Sequence, residues 1–318
     1  MKNYSLIKKS KGFDAKFILK GLKNKAQKRI NSKYFYDEIG SKLFDMITNL
    51  DEYYPTRKEL SILALNKDEL KNILPRNSSI IEFGSGSLKK ISKLVDAIDT
   101  PKEYFPIDIS EEYLLHNAKK FSLLFPEINT TPICADFNHT LEIRKFFNKR
   151  NKLVGFFPGS TIGNSFPVKA TLLLKKFADI LKSNNYLIIG VDLKKTKNIL
   201  EKAYNDSKGV TAKFNQNILC RLNKEFEIFF EVNNFAHLAF FNEKKKRIEM
   251  HLQSKLEQEV KVLNSIINFK KGETIHTENS YKYSIDEFID LMRNAGYVDV
   301  KYWTDEDNYF GVFCFKVK

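Results

Sequence analysis

The chain has 318 residues, is 42% hydrophobic and 29% charged, and carries 53 Lys and Arg against 39 Asp and Glu, a net charge of +14. That apolar fraction excludes wholesale disorder, and the length suits one large domain or two ordinary ones. No apolar run is long enough to span a bilayer, and the opening MKNYSLIKKSKGF lacks the apolar stretch of a secretory leader, so no membrane partner is expected.

Three widely spaced cysteines, Cys134, Cys220 and Cys314, fit neither a disulfide framework nor a metal clip and predict reduced, mostly buried thiols in a cytoplasmic protein. The positive charge sits in short lysine-dominated clusters, Lys8-Lys9, Lys194-Lys195 and Lys244 to Arg247. These read as solvated faces rather than an arginine-rich nucleic-acid surface, and no nucleic-acid partner is expected.

The first thirty residues are basic and weakly patterned. From Tyr34 the chain becomes dense: Leu43, Phe44 and Ile47 fall at helical spacing, and Pro55 opens an amphipathic helix reaching about Leu74. Short apolar runs then alternate with helices. They are Ser79 to Phe83, Tyr104 to Ile107, Thr131 to Cys134, Leu153 to Phe157 and Tyr186 to Val191. Continuous apolar strands separated by helices predict a parallel sheet covered on both faces, a doubly wound α/β fold. Ile285 to Met292 reads as a helix, and Tyr297 to Trp303 with Phe310 to Val317 as two strands joined by a turn. Between them lie a helix near Val210 to Leu222 and antiparallel strands over Ile228 to Phe241 and Arg247 to Gln253. This stretch reads as an insertion that builds a second, α+β substrate-binding domain with the N-terminal segment. The expected division is 58–194 plus 281–318 for the core and 1–57 plus 195–280 for the second domain.

Ligands of open parallel sheets sit beyond the carboxyl ends of the strands. The first strand ends in Glu82-Phe83-Gly84-Ser85-Gly86-Ser87, and the third glycine of a dinucleotide pattern would fall on Lys89. Asp108, closing the second strand, is placed to accept from ribose hydroxyls. Asp136 and Phe137, after the third, offer a carboxylate and a ring for adenine. Taken singly, each of these is ordinary turn chemistry. In this order they point to an adenosyl cofactor, and the turn resembles motif I of class I S-adenosylmethionine-dependent methyltransferases. His237 and His251 alternate with apolar residues without a second ligand at metal spacing, so they read as structural or surface histidines and no metal is expected.

Several longer blocks carry a more specific resemblance: KYFYDEIGSKLFDMIT and EYYPTRKE (33–59), IIEFGSGS with Lys90 (80–90), GSTIGN (159–164), VDLKK to GVTAKFNQNIL (191–219), RIEMHL (247–252) and the segment 278–284. From about residue 33 to the C-terminus the chain resembles the histidine-specific Nα-methyltransferases of ergothioneine biosynthesis. That resemblance implies trimethylation of the α-amine of free L-histidine to hercynine, with S-adenosylmethionine as cofactor. It implies cofactor contacts at Tyr36, Gly84, Ser85, Gly86, Lys90, Asp108, Asp136 and Phe137. Phe44, Tyr53, Asn164 and Tyr204 would hold the backbone end of the amino acid, with Tyr53 as the catalytic candidate. Met250, Glu278 and Ser280 would face the imidazole. Leu88 departs from the pattern, standing where a small hydroxylated residue is common. The expected partner is a small molecule, and the expected state a monomer.

Methyl transfer from a sulfonium asks for positioning and desolvation around a neutral amine, which a site of aromatic and amide tips provides without a buried anion. The competing readings are a related enzyme for another amino acid or small amine and, from the charge, an RNA or protein methyltransferase. Against the latter, the fourth strand ends in Pro-Gly-Ser-Thr rather than the Asn/Asp-Pro-Pro-Tyr/Phe of base-amine methylation.

Overall fold

The structure, a computed structural model, describes residues 4–6, 11–137, 143–148, 150–226 and 228–318, the side chains of 11–13 excepted. The Lys8-Lys9 pair lies outside the described residues. The strands that frame the site are, in chain order, β1 (Ser79–Phe83), β2 (Glu103–Asp108), β3 (Ile133–Cys134), β4 (Leu153–Phe157), β5 (Tyr186–Asp192), β6 (Phe235–Asn242), β7 (Arg247–Ser254), β8 (Thr274–Tyr281), β9 (Tyr297–Thr304) and β10 (Phe310–Val317). The chain forms two compact units, one of Met1–Ile7, Pro55–Lys195 and Tyr281–Lys318 and the other of Lys8–Tyr54 and Thr196–Ser280.

In the first unit the sheet runs Tyr4–Ser5, β3, β2, β1, β4, β5, β10, β9, with Asn129–Thr130 on β2. The first six of these strands are parallel, whereas β10 is antiparallel to both β5 and β9. Every residue of β1 and β4 is buried, and neighbouring residues serve opposite faces. Ile81, Phe83, Phe105 and Phe157 join one apolar cluster, while Ile80, Tyr104, Val154 and Phe156 join the other. This is why the strands read as unbroken apolar runs: both faces are covered by helices. Strand order reverses between β1 and β4, and a ligand crevice belongs at their carboxyl ends.

Two elements are shorter than the sequence pattern predicts. The helix from Pro55 divides into Tyr54–Leu65 and Lys67–Ile73. At the break Asn66 leaves helical geometry (φ −106°, ψ 20°), and its side-chain amide joins its backbone N–H on the Ile62 carbonyl (2.8 and 3.1 Å). The third strand keeps only Ile133–Cys134, since Pro132 has no N–H to continue the pairing from Thr130.

The second unit holds a four-stranded sheet, β6–β7–β8 with Lys28–Arg29, and a three-stranded one of Ile228–Phe229, Gln258–Val262 and Ser265–Phe269. The strand expected over Ile228 to Phe241 is therefore two strands, parted by a helical turn at Val232–Asn234. Its helix Val210–Glu225 buries Phe214 against Phe35 (centroids 4.6 Å) and Phe44 (5.9 Å). Gly40 is required there, because a Cβ would lie 1.7 Å from the Phe35 carbonyl oxygen.

The lysine clusters do not all face water as expected. Lys195 is buried with its ammonium 2.5 Å from Asp192, and Arg247 is buried on Glu249. Cys134 and Cys314 are buried and Cys220 exposed. Among the described residues no helix is long and apolar enough to cross a membrane.

Candidate active site

In the first unit the glycine turn follows β1 directly. Gly84 has φ +79°, and its N–H and that of Ser85 both donate to the Ile107 carbonyl at 2.9 Å, which ties the turn to the end of β2. A Cβ on Gly84 would sit 3.3 Å from the Phe137 ring, so glycine is what lets that ring close over the turn. Phe137 is held edge-on by Phe157 (5.6 Å) and Phe177 (6.2 Å). The Gly86 carbonyl accepts from Asn117 at 3.0 Å, and among the described residues other than its chain neighbours no heavy atom lies within 4 Å of where a Cβ would stand. Ser85 turns inward: its hydroxyl is 3.1 Å from Tyr104 Oη, which in turn donates to the buried Glu82.

Burial pushes the carboxyl groups here upward, Glu82 to about 7 and Asp108 to about 6. Asp108 is pulled back by Ser110, whose backbone N–H donates to Oδ1 at 2.8 Å. Asp136 is half-buried two residues after β3. Lys90, on the helix Leu88–Asp96, places its ammonium 2.7 Å from Glu59, a fully buried carboxylate that sequence reading missed. A lone glutamate on an amphipathic helix carries no signal of burial.

Beyond β4 the GSTIGN loop is held at both ends. Gly159 donates to Glu59 at 3.0 Å, and the Ser160 hydroxyl, on a residue at φ +56°, accepts from the Asp192 N–H at 2.9 Å. Gly163 packs on the Tyr281 backbone, where a Cβ would meet the carbonyl oxygen at 2.9 Å. Asn164 closes the short helix Thr161–Asn164 that this bracing fixes. Asp192 itself is buried between Lys195 and Lys282, each at 2.5 Å. Burial works to raise its pKa, but the two ammonium charges hold it below the usual carboxylate value.

In the second unit the expected aromatic residues form a continuous series. Tyr36 meets Phe44 at 6.0 Å, Phe44 meets Tyr53 at 6.2 Å, and Tyr53 meets Tyr204 at 6.4 Å, all edge-on. Tyr204 then donates to the Ser280 hydroxyl at 2.8 Å. Ser280 and Glu278 are two residues apart on β8 and so share a face. Met250 is buried on β7, with its carbonyl accepting from Thr277 Oγ1 at 3.0 Å.

The same strands carry polar contacts that sequence reading missed. Asn215 donates to the His251 carbonyl and contacts His237 Nδ1, both at 2.9 Å, while accepting from Thr277. Glu249, His251 and His276 bring one ligand atom each within 4.8 Å of one another. The two imidazoles stack in nearly parallel planes 4.7 Å apart, and Arg247 occupies the carboxylate, so their in-plane lone pairs do not converge on one point. Burial lowers His276 to about 4, and His251 beside it adds to the effect. The signal was invisible because β7 and β8 meet only in the fold.

A sheet of order 3-2-1-4-5, a glycine turn after β1, and an acid after β2 define an S-adenosylmethionine-dependent methyltransferase. The profile of the family described as "Histidine-specific methyltransferase, SAM-dependent" matches residues 14–317, and the chain belongs to that family. It is 35% identical over 294 residues to a histidine N-alpha-methyltransferase of Mycobacterium tuberculosis strain CDC 1551, covering 91% of this chain and 90% of that one. It is likewise 35% identical to the protein of that name from Mycolicibacterium smegmatis, covering 90% of each. Ergothioneine biosynthesis protein 1 of Schizosaccharomyces pombe is 29% identical, covering 85% of this chain and 36% of that one.

The cofactor is S-adenosylmethionine. The residues present fit it: the turn at Gly86 is open, a ring closes over Gly84, and Asp108 offers a carboxylate whose protonated fraction hydroxyl donors would suppress.

Proposed function

We propose that this protein methylates the α-amine of free L-histidine and carries it through to the trimethylated product, hercynine. The observation that carries the reading is the Tyr204–Ser280 hydrogen bond on the strand that also bears Glu278. A neutral imidazole presents one N–H and one bare nitrogen, so a selective pocket needs an acceptor and a donor. Glu278 is the acceptor, and a serine hydroxyl that accepts from Tyr204 is polarised as a donor. The relatives from the two mycobacteria support the same substrate.

In this reading residues 58–194 with 281–318 are the methyltransferase core and 1–57 with 195–280 the substrate-binding domain. Tyr36, Gly84, Ser85, Gly86, Lys90, Asp108, Asp136 and Phe137 contact the cofactor. Phe44, Tyr53, Asn164 and Tyr204 hold the amino acid's backbone end, while Met250 walls the imidazole. When bound, the cofactor supplies an electrophilic methyl on a sulfonium. The protein's task is to keep the amine neutral, dry and in line. Tyr53, Asn164 and Tyr204 do this with polar tips that carry no permanent charge, and Tyr53 orients the amine and relays its proton.

Nuclear magnetic resonance of the product made from S-adenosylmethionine and L-histidine tests this. Three equivalent methyl groups on the α-nitrogen with an unaltered imidazole are expected. A methyl group on a ring nitrogen, or no product, contradicts the reading.

A further inference from the structure

Glu59 is a buried charge that the proposed roles leave unused. It lies on the helix Tyr54–Leu65 with no exposed surface. Its carboxylate makes three strong contacts. Oε2 is 2.7 Å from the Lys90 ammonium, and both oxygens accept from the Gly159 N–H at 3.0 Å. A third neighbour makes room for it: a Cβ on Gly190 of β5 would lie 1.9 Å from Oε1. Gly159 is at φ +77°, and a Cβ there would stand 3.0 Å from the Lys90 ammonium. Two glycines and one lysine thus shape a slot for one carboxylate.

An ion pair this buried is poor evidence of a stabilising device, because desolvation offsets most of the attraction. What it supplies is fixed geometry. One partner, Lys90, lies on the helix that follows the glycine turn after β1; the other, Gly159, begins the loop that ends at Asn164.

We propose that Glu59 is a positioning residue for both substrates, its carboxylate setting Lys90 against the cofactor and the Gly159 end of the loop that presents Asn164 to the amino acid. This rests on the roles given above to Lys90 and Asn164. A glutamine of the same shape leaves the Gly159 N–H one acceptor in place of two, with an amide donor facing it where the other oxygen stood, and leaves the ammonium without its counter-charge.

The test is a double-mutant cycle on S-adenosylhomocysteine binding by calorimetry, with steady-state kinetics on histidine alongside. Glu59→Gln and Lys90→Met are each expected to weaken S-adenosylhomocysteine about tenfold, and the double variant no more than the weaker single, because both act through one contact. The histidine KM is expected to rise severalfold in Glu59→Gln and to hold within twofold in Lys90→Met, a split that loss of stability alone would not produce. Glu59→Asp, charged but one methylene too short to reach both partners, supplies the same comparison should Glu59→Gln not fold. A folded Glu59 variant with unchanged cofactor affinity and unchanged histidine KM, or a cycle in which the two losses multiply, overturns the proposal. A wild-type protein inactive on histidine that still shows the coupled cycle would contradict the substrate and leave the Glu59–Lys90 arm standing.

Discussion

Asp108 shows what a cofactor carboxylate costs its own fold. Its folded pKa of about 6 lies above the usual 3.8, so the folded state holds the proton more tightly than the unfolded chain. The stability it adds is therefore present below about pH 4 and is lost as pH rises through 6. Ribose hydroxyls need the ionised form, so cofactor affinity runs the opposite way, strengthening from pH 5 to 7 and flat above. Asp108→Asn is expected to weaken S-adenosylhomocysteine binding by about 1.5–3 kcal/mol at pH 7.5, the range for losing charge-assisted hydrogen bonds. Its melting temperature should be equal to or above the wild type's. Calorimetry across pH, paired with thermal denaturation, reads both; a pH-independent Kd in the wild type would remove the carboxylate from the ribose. Asp206 is the contrasting case. It accepts from Val210 N–H and Thr211 N–H at 2.8 Å at the start of a helix. Burial works to raise its pKa, but the Thr211 and Val210 bonds hold it below 3.8. That stability is present above pH 4 and lost below it. Asp206→Ala should cost about 1–2 kcal/mol in chemical denaturation at pH 7, the usual loss for an N-terminal helix acceptor, and much less at pH 3.

At the scale of elements, β1, β4 and β5 were legible because each is a short apolar run buried on both faces, and because glycines and acids follow them. What was not legible came from single residues that spoil a pattern, Asn66 within a helix and Pro132 within a strand. The aromatic series was legible only through resemblance. Tyr36, Tyr53 and Tyr204 are far apart in the chain, and no period connects them. Glu59 and the layer of Glu249, His251 and His276 left no trace, since each becomes a site only when separate elements pack. The strand β8 carries the sharpest prediction at this scale. If Glu278 accepts from the imidazole N–H, an apolar substrate side chain in place of the imidazole would forfeit that charge-assisted bond. Glu278→Ala should lower kcat/KM for histidine at least a hundredfold while raising the ratio of tryptophan to histidine turnover, with Met250 as the flexible wall that limits the larger ring. An unchanged ratio in steady-state assays would take Glu278 out of the pocket.

For the whole molecule, the net charge of +14 is a poor guide to partners. Basic residues are not all on the surface: Lys195 and Lys282 close on the buried Asp192, and Arg247 closes on Glu249. The account stands on the family and on the proposed amine substrate. The most direct measurement is a competition: the protein, S-adenosylmethionine and an equimolar mixture of the proteinogenic amino acids, with every methylated product followed by mass spectrometry from the first turnover. Methylated histidine should accumulate at least a hundredfold faster than any other product and run on to the trimethylated form. Another amino acid methylated as fast, or histidine left untouched while the cofactor is consumed, would contradict the account.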